Sequence, residues 1–464
     1  MRRPERAVAM ITLALLNVFL VTAALAVVKL TPDRSLALRP PTVAARAIIP
    51  AGPPPMAPVA ATAPLPSAGS LAARLAGPMQ DAGLGQSLSG VVVDAMTGRS
   101  LFSSNAGQPA VPASTTKLIT AVAVLASVGP DRRLTTSVVR SNRGVVLVGG
   151  GDPTLTTVGS KNAYPQPASL ADLAKQTAAA LKTAGTTQVT VDYDISAYQG
   201  SRMAPGWKQL YFSPEGDVAP VTALELDAGR MVPGVQYTPR VQDPPSVAAQ
   251  RFAQMLTNRG VTAHVGSRTT APKGARRLGA VQSPPISALV EQLLTHSDDD
   301  IAEAMARQVA MNLHRPPTFA GGAAATRDVL ARLGVTGGIE VYDGSGLSHD
   351  NRITPSALAK ALALAVSPAH PELRTVLSGM PVAGFSGTLD DRFDTGTGSA
   401  GRGVVRAKTG TLDGVNTLAG VVEDADGRLL AFAFMANQVP ASRVDAVLSS
   451  LDTLAGTLAG CGCR

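Results

Sequence analysis

Aromatic side chains are scarce in this 464-residue chain: nine Phe, six Tyr and one Trp make up 3% of it. Its core must therefore rest on Val, Leu, Ala and Ile. The formal charge is +8, but the basic residues are mostly scattered arginines. With neither a basic cluster nor an aromatic platform, the chain does not read as a nucleic-acid binder, although its charge is compatible with attraction to an anionic wall polymer. Cysteine is nearly absent. Cys461 and Cys463, flanking Gly462 at the C-terminus, are the only two. Two sites cannot make a disulfide framework, and a bridge across one residue would be strained. No His or further Cys stands at ligand spacing, so a metal site is not expected. His296 and His349 lack the aspartate partner and strand-turn context of a Ser-His-Asp triad and read as structural.

Only one long apolar run is present. Arg2, Arg3 and Arg6 precede Ala7 to Val28, a stretch long for a signal peptide and about long enough to span a bilayer. Basic residues at its amino end favour an N-in orientation, which exports the remainder. Ala24-Leu25-Ala26 offers a cleavage site, so residues 1–30 read as either a membrane anchor or a cleaved signal. Residues 31–68, rich in proline and alanine, read as a linker.

Against these absences stands a pointed pair, Ser114 and Lys117, in Pro112-Ala113-Ser114-Thr115-Thr116-Lys117. Pro112 suits a helix start, and good helix formers run to about Val128. Residues three apart share a helix face, so the Lys117 amine reaches the Ser114 hydroxyl. A serine becomes a useful nucleophile when a neighbouring base takes its proton, and a desolvated lysine near other cations can serve. Arginine strongly outnumbers lysine here, yet arginine could not deprotonate to act as a base. Alone, Ser-x-x-Lys also fits a capped helix with a surface lysine.

Two further signals change that reading. Lys408-Thr409-Gly410-Thr411 follows Val404-Val405-Arg406-Ala407 and reads as an edge strand. Ser297-Asp298-Asp299 lies between helical stretches Ile286–Leu294 and Ile301–Leu313. Neither Ser-x-x-Lys nor Lys-Thr-Gly occurs a second time. The order Ser-x-x-Lys, Ser-x-Asn/Asp, Lys-Thr-Gly is that of the penicillin-recognising serine acyl-transfer enzymes. About 180 residues separate the first two motifs, more than a compact β-lactamase needs. From about Ser87 to Leu448 the chain resembles the penicillin-binding-protein-4 type of D-alanyl-D-alanine carboxypeptidase/endopeptidase. Leu147-Val148-Gly149-Gly150-Gly151-Asp152-Pro153, Asp343-Gly344-Ser345-Gly346-Leu347-Ser348 and Met380-Pro381-Val382-Ala383-Gly384 are similar to that family's segments.

The resemblance implies an α/β (α+β) fold: a β-lactamase/transpeptidase-like antiparallel sheet flanked by helices, with a large inserted domain. The catalytic domain would comprise residues 69–155 and 283–464, and the insertion 156–282. Ser89–Ala95, Ser100–Ser104, Val404–Lys408, Val415–Glu423 and Arg428–Ala436 would share the sheet. The insertion would contain strand Gln188–Tyr193 and helices Ser169–Thr183 and Ser246–Gly260. Its implied activity is cleavage of peptidoglycan stem peptides ending in D-Ala-D-Ala, with β-lactams as covalent inhibitors and no cofactor. Ser114 would be the nucleophile, Lys117 its base, and Ser297 a relay to the leaving amine. Lys408 and Thr409 would hold the substrate carboxylate, and Lys408 would help Lys117 shed its proton. Gly410 would leave room for substrate, while the N–H groups of Ser114 and Thr411 would form an oxyanion hole. A β-lactamase or esterase, or an inactive wall-binding scaffold, is the competing reading.

One position departs from the family. Asp299 stands where asparagine is usual, and a carboxylate beside Lys117 favours its ammonium form. Asp299 would either be neutral when buried or turn to another cation. Asp343, Gly344 and Gly346 read as turn formers, Asp152 as a turn or cap, and Glu303 as an acid in the first turn of its helix.

Overall fold

A computed structural model describes residues 63–85, 87–159 and 162–463. The expected anchor or signal at 1–30, and the linker up to residue 62, lie outside the described residues. Among the described residues no helix is long and apolar enough to cross a membrane.

The compact unit Val59–Arg464 is organised around two five-stranded sheets. The first uses strands from both ends of the chain: β1 (Ser87–Asp94), β2 (Ser100–Ser104), β10 (Val405–Leu412), β11 (Val415–Glu423) and β12 (Leu429–Asn437). Their order is β10-β11-β12-β1-β2, antiparallel throughout, with Val91 opposite Ala433 and Lys408 opposite Ala419. Sheet strands β11 and β12 are buried on both faces, which explains their near-continuous apolar sequences. The motif strand β10 is an edge strand, as its sequence suggested.

Helix α1 (Ala68–Ala76) packs Leu71 and Leu75 into the core beneath this sheet, with Val447, Leu451 and Leu454 of the C-terminal helix Val444–Ala459. Ser67 caps α1, and its N–H donates to the Cys463 carbonyl at 2.6 Å. Leu65 packs on the same core. The part of the expected linker that is described is thus docked rather than extended. Cys461 and Cys463 are joined as a disulfide, which the sequence reading disfavoured, and both are buried there.

Helix α2 (Thr116–Ser127) is preceded by a short 3₁₀ turn, Ala113–Thr115. Every residue from Thr116 to Leu125 is buried, consistent with a run apolar on all faces and packed on all sides. The second sheet, ordered β6-β5-β4-β3-β7, takes β3 (Arg133–Ser141), β4 (Gly144–Val148), β5 (Gln188–Asp194), β6 (Thr262–Arg268) and β7 (Arg277–Pro285). It therefore begins well ahead of residue 156, where the inserted region was expected to start. Its parallel pairs β4–β5 and β5–β6 require crossovers, supplied by α3 (Leu170–Thr183) and α4 (Pro244–Thr257).

The remaining elements are α5 (Ile286–His296), α6 (Asp299–Asn312), α7 (Phe319–Arg332), the two-residue strands β8 (Ile339–Glu340) and β9 (Arg352–Ile353), α8 (Pro355–Val366), α9 (Arg374–Gly379) and α10 (Val444–Ala459). Phe393, Phe432 and Phe434 join the core beneath the first sheet, and Phe252 and Tyr198 the core beside the second. Trp207, Tyr211, Phe212 and Phe319 gather in one small cluster, with Phe212 and Phe319 edge-on to Trp207 at 6.0 and 5.4 Å.

Leu75→Ala should lower the unfolding free energy by about 2–5 kcal/mol, the usual cost of emptying a buried leucine site. A shifted denaturant midpoint in the full chain would show it. An unchanged midpoint would mean that α1 is not part of the cooperative fold.

Candidate active site

Three elements converge on one amine. Lys117, on the first turn of α2, is fully buried, and its Nζ donates to Ser114 Oγ (3.0 Å), Asp299 Oδ1 (2.6 Å) and the Ser345 carbonyl (2.8 Å). These partners come from the turn before α2, the start of α6, and the 343–348 turn. A buried ammonium without such partners would be costly, so three acceptors are a physical requirement as much as a catalytic arrangement.

The backbone around Ser114 is unusual. Ala113 has φ of +48°, a region that costs an alanine free energy and persists only where neighbours enforce it. Gly346 is one such neighbour: its φ is +93°, and a Cβ there would lie 2.0 Å from the Ala113 carbonyl. Gly410 is another. A Cβ at 410 would meet Thr417 Oγ1 at 2.2 Å and the Pro112 carbonyl at 2.8 Å. Its bareness thus lets β10 close on the Ser114 turn, a structural reason beside the room for substrate expected from sequence.

The 343–348 turn is itself gripped by two buried carboxylates. Asp343 accepts from the N–H groups of Gly346 (3.0 Å) and Ser348 (2.7 Å), from Asn351 Nδ2 (2.7 Å) and from Trp207 Nε1 (2.7 Å). Glu303 accepts from the N–H groups of Gly344 (3.0 Å) and Ser345 (2.8 Å). Glu303 is the fifth residue of α6, not a first-turn acid, and faces inward because it has these donors to meet. Burial, helped by Asp343, pushes its carboxyl up to about 7. Asp152 accepts from the N–H and hydroxyl of Thr154 and caps that turn.

Ser114, Ser297, Asp299, Thr409 and Thr411 line one cleft of about 570 Å³. Lys117, Lys408 and Gly410 are buried behind it. Ser297 closes α5 with φ of +57°, and Asp298 then caps α6 by accepting from Ile301 N–H at 2.9 Å. This tight reversal aims Ser297 and Asp299 into the same space. Thr409 Oγ1 is 2.8 Å from Thr388 Oγ1, another residue of the cleft.

Lys408 donates to the Thr409 carbonyl at 2.8 Å. Burial first, and the nearby Lys117 second, hold its amine well below the usual lysine range, with Asp299 opposing them. Asp299 is only 13% exposed, and burial raises its carboxyl although Lys117 pulls the other way. It does not turn to another cation; it faces Lys117 directly.

The second sheet's region supplies a wall that sequence spacing could not reveal. Tyr211, Glu215, Asp217 and Tyr237 all line the cleft. Asp217 is pushed up to about 7, mainly by burial and then by the charges of Asp299 and Glu215. None belongs to a recognisable motif, and nothing local in the sequence distinguishes them from other surface acids and tyrosines.

The described part of the chain matches the D-Ala-D-Ala carboxypeptidase 3 (S13) family over residues 71–238 and 233–458. A carboxypeptidase of Mycobacterium tuberculosis is 38% identical over 434 residues, covering 92% of this chain and 89% of its own. Carboxypeptidase DacB of Mycolicibacterium smegmatis is 38% identical over 436 residues, covering 90% and 91%. Among solved structures, penicillin-binding protein 4 (DacB) from Haemophilus influenzae shares the fold, with a TM-score of 0.66, 20% identity, and coverage of 84% of this chain and 98% of that one. The fold class is therefore that of the penicillin-recognising serine hydrolases. Within it, the chain belongs to the D-Ala-D-Ala carboxypeptidase 3 (S13) family.

Asp299→Asn removes the anion that pairs with the Lys117 ammonium while keeping the shape of the side chain. Acylation should hold or rise, most visibly below neutral pH, as measured by the rate of covalent penicillin labelling. A large loss of rate would give the carboxylate a positive part in the chemistry.

Proposed function

We propose that the chain is an exported serine D,D-peptidase acting on peptidoglycan stem peptides through an acyl-enzyme on Ser114. The 3.0 Å hydrogen bond between cleft-lining Ser114 and the buried Lys117 behind it is the observation that carries this reading. Lys117, once it has shed a proton, takes the hydroxyl proton of Ser114 as its oxygen attacks the carbonyl between the two terminal D-alanines. The carbonyl electrons move to oxygen, and the N–H groups of Ser114 and Thr411 stabilise that charge; losing such a donor costs about 10²–10³ in rate. Ser297 relays the proton to the leaving amine as the C–N bond breaks. Water then hydrolyses the ester by the reverse sequence of proton transfers. The apolar segment within residues 1–30 serves as anchor or export signal, so the enzyme acts outside the cytoplasm. β-Lactams, which present a strained amide to the same serine, act as covalent inhibitors.

Lys408 and Thr409 receive the substrate's terminal carboxylate. Because burial drives Lys408 toward its neutral form, an arriving carboxylate favours the ammonium, and binding takes up a proton. The sign is fixed: raising the pH through the free-enzyme pKa of Lys408 should weaken binding and raise KM, while Lys408→Ala should abolish that dependence. A KM that stays flat with pH in the parent would remove this role.

The reading as a whole is tested by exposing the full chain to a penicillin and to a pentapeptide ending in D-Ala-D-Ala. One covalent adduct by intact mass and release of D-alanine are expected, both lost in Ser114→Ala. An adduct without D-alanine release would favour an acylated but non-hydrolysing scaffold, and rapid nitrocefin turnover a β-lactamase.

A further inference from the structure

Arg240 and Asp300 form an ion pair at 3.0 Å, with side chains only 1% and 2% exposed. Such a pair is weak grounds for stability, since desolvation offsets much of the attraction. What it connects is more informative. Arg240 donates to the carbonyls of Gly216 (2.9 Å), Asp217 (3.1 Å) and Ala228, and its own N–H donates to the Phe212 carbonyl at 2.9 Å. The other oxygen of Asp300 accepts from Ala219 N–H at 2.7 Å. The segment spanning 211–219 carries Glu215 and Asp217 to the cleft, and contains no strand or α-helix to hold it. Asp300 directly follows Asp299 on α6. One guanidinium and one carboxylate thus bind the cleft wall to the helix that holds the partner of Lys117.

Glu215 and Asp217 are not hydrogen-bonded to Ser114, Lys117 or Lys408 in the structure. The wall thus shares the cleft with Ser114 without bonding to it, and stands where the rest of a bound peptide would lie. We propose that Arg240 and Asp300 are a positioning pair that sets selectivity for the upstream residues of a peptide substrate, by fixing the wall of Glu215 and Asp217 against the start of α6. This rests on the reading of Ser114 as a D,D-peptidase nucleophile. The pair touches neither substrate nor reacting atoms. It acts on long peptide donors and leaves short ones and β-lactams unaffected.

Removing one partner would leave the other as a buried unpaired charge, so a single variant risks unfolding. Replacing both by apolar side chains avoids this. Burial first, and the charge of Asp300 second, raise the carboxyl of the nearby buried Glu225, with Arg240 opposing them. The test uses the full chain as parent, Asp300→Asn, and the double variant Arg240→Met with Asp300→Leu. Three reactions are followed: acylation by benzylpenicillin, and D-alanine release from an N-acyl-D-Ala-D-Ala dipeptide and from a stem pentapeptide. In the double variant KM for the pentapeptide should rise about tenfold with kcat within about threefold, while the dipeptide and penicillin reactions stay within about threefold. Asp300→Asn should move the same ratio in the same direction. Equal changes for the two peptides, or no change in a folded double variant, would overturn the positioning pair alone. No adduct in the parent would overturn the serine reading and this proposal with it.

Discussion

A lysine ammonium sealed from water must be given acceptors, and much of this fold can be understood as meeting that demand. Lys117 finds them on three elements that are far apart in the chain: its own turn, the start of α6 and the 343–348 turn. Each acceptor has support of its own. Glu303 and Asp343 hold the turn that offers the Ser345 carbonyl. The reversal at Ser297, capped by Asp298, delivers Asp299. Gly346 and Gly410 let the nucleophile turn be pressed from two sides without a side chain in the way. The constraint is mutual, because an amine with fixed partners also fixes them.

The charge balance behind the cleft follows from the same packing. Two buried lysines share the space with one carboxylate, and burial first and Lys117 second hold the Lys408 amine well below the usual lysine range. Asp299 relieves that repulsion in the resting protein. An asparagine there would leave the Lys117 amine with only neutral acceptors. The carboxylate thus offsets part of the cost of burying these amines. Opposite these cations the wall is acidic, with Glu215 and Asp217 close enough that burial and mutual repulsion hold Asp217 near neutrality.

Legibility from sequence tracked how local each signal is. The three motifs, the edge position of β10 and the strands of the first sheet could be read directly. Each is a short run of characteristic residues, and the boundaries of Ser100–Ser104 and Val415–Glu423 match the structure. Long-range events were not legible. Val138 and Val146 look like any apolar strand residues, so nothing local says that β3 and β4 join the second sheet. Glu303 was misread because helix-end electrostatics explains an acid near an N-terminus equally well. Only the donors on a turn forty residues later reveal its purpose. The wall residues Asp217 and Tyr237 sit in loops without periodicity, where the sequence has no grammar to read. Aromatic scarcity was read correctly as a count, but not the gathering of four of those side chains in one cluster beside the cleft.

The strand order of the first sheet has a consequence for how the protein comes into being. β1 lies between β2 and β12, and pairs Val91 with Ala433 across most of the chain's length. The edge on which Lys408 stands is joined to β1 only through β11 and β12. A ribosome delivers residues in order, and non-local pairing of this kind is closed late. Ser114 is synthesised long before any of the strands that complete its surroundings. The growing chain therefore carries Ser114 in an unfinished setting until β10, β11 and β12 have been made.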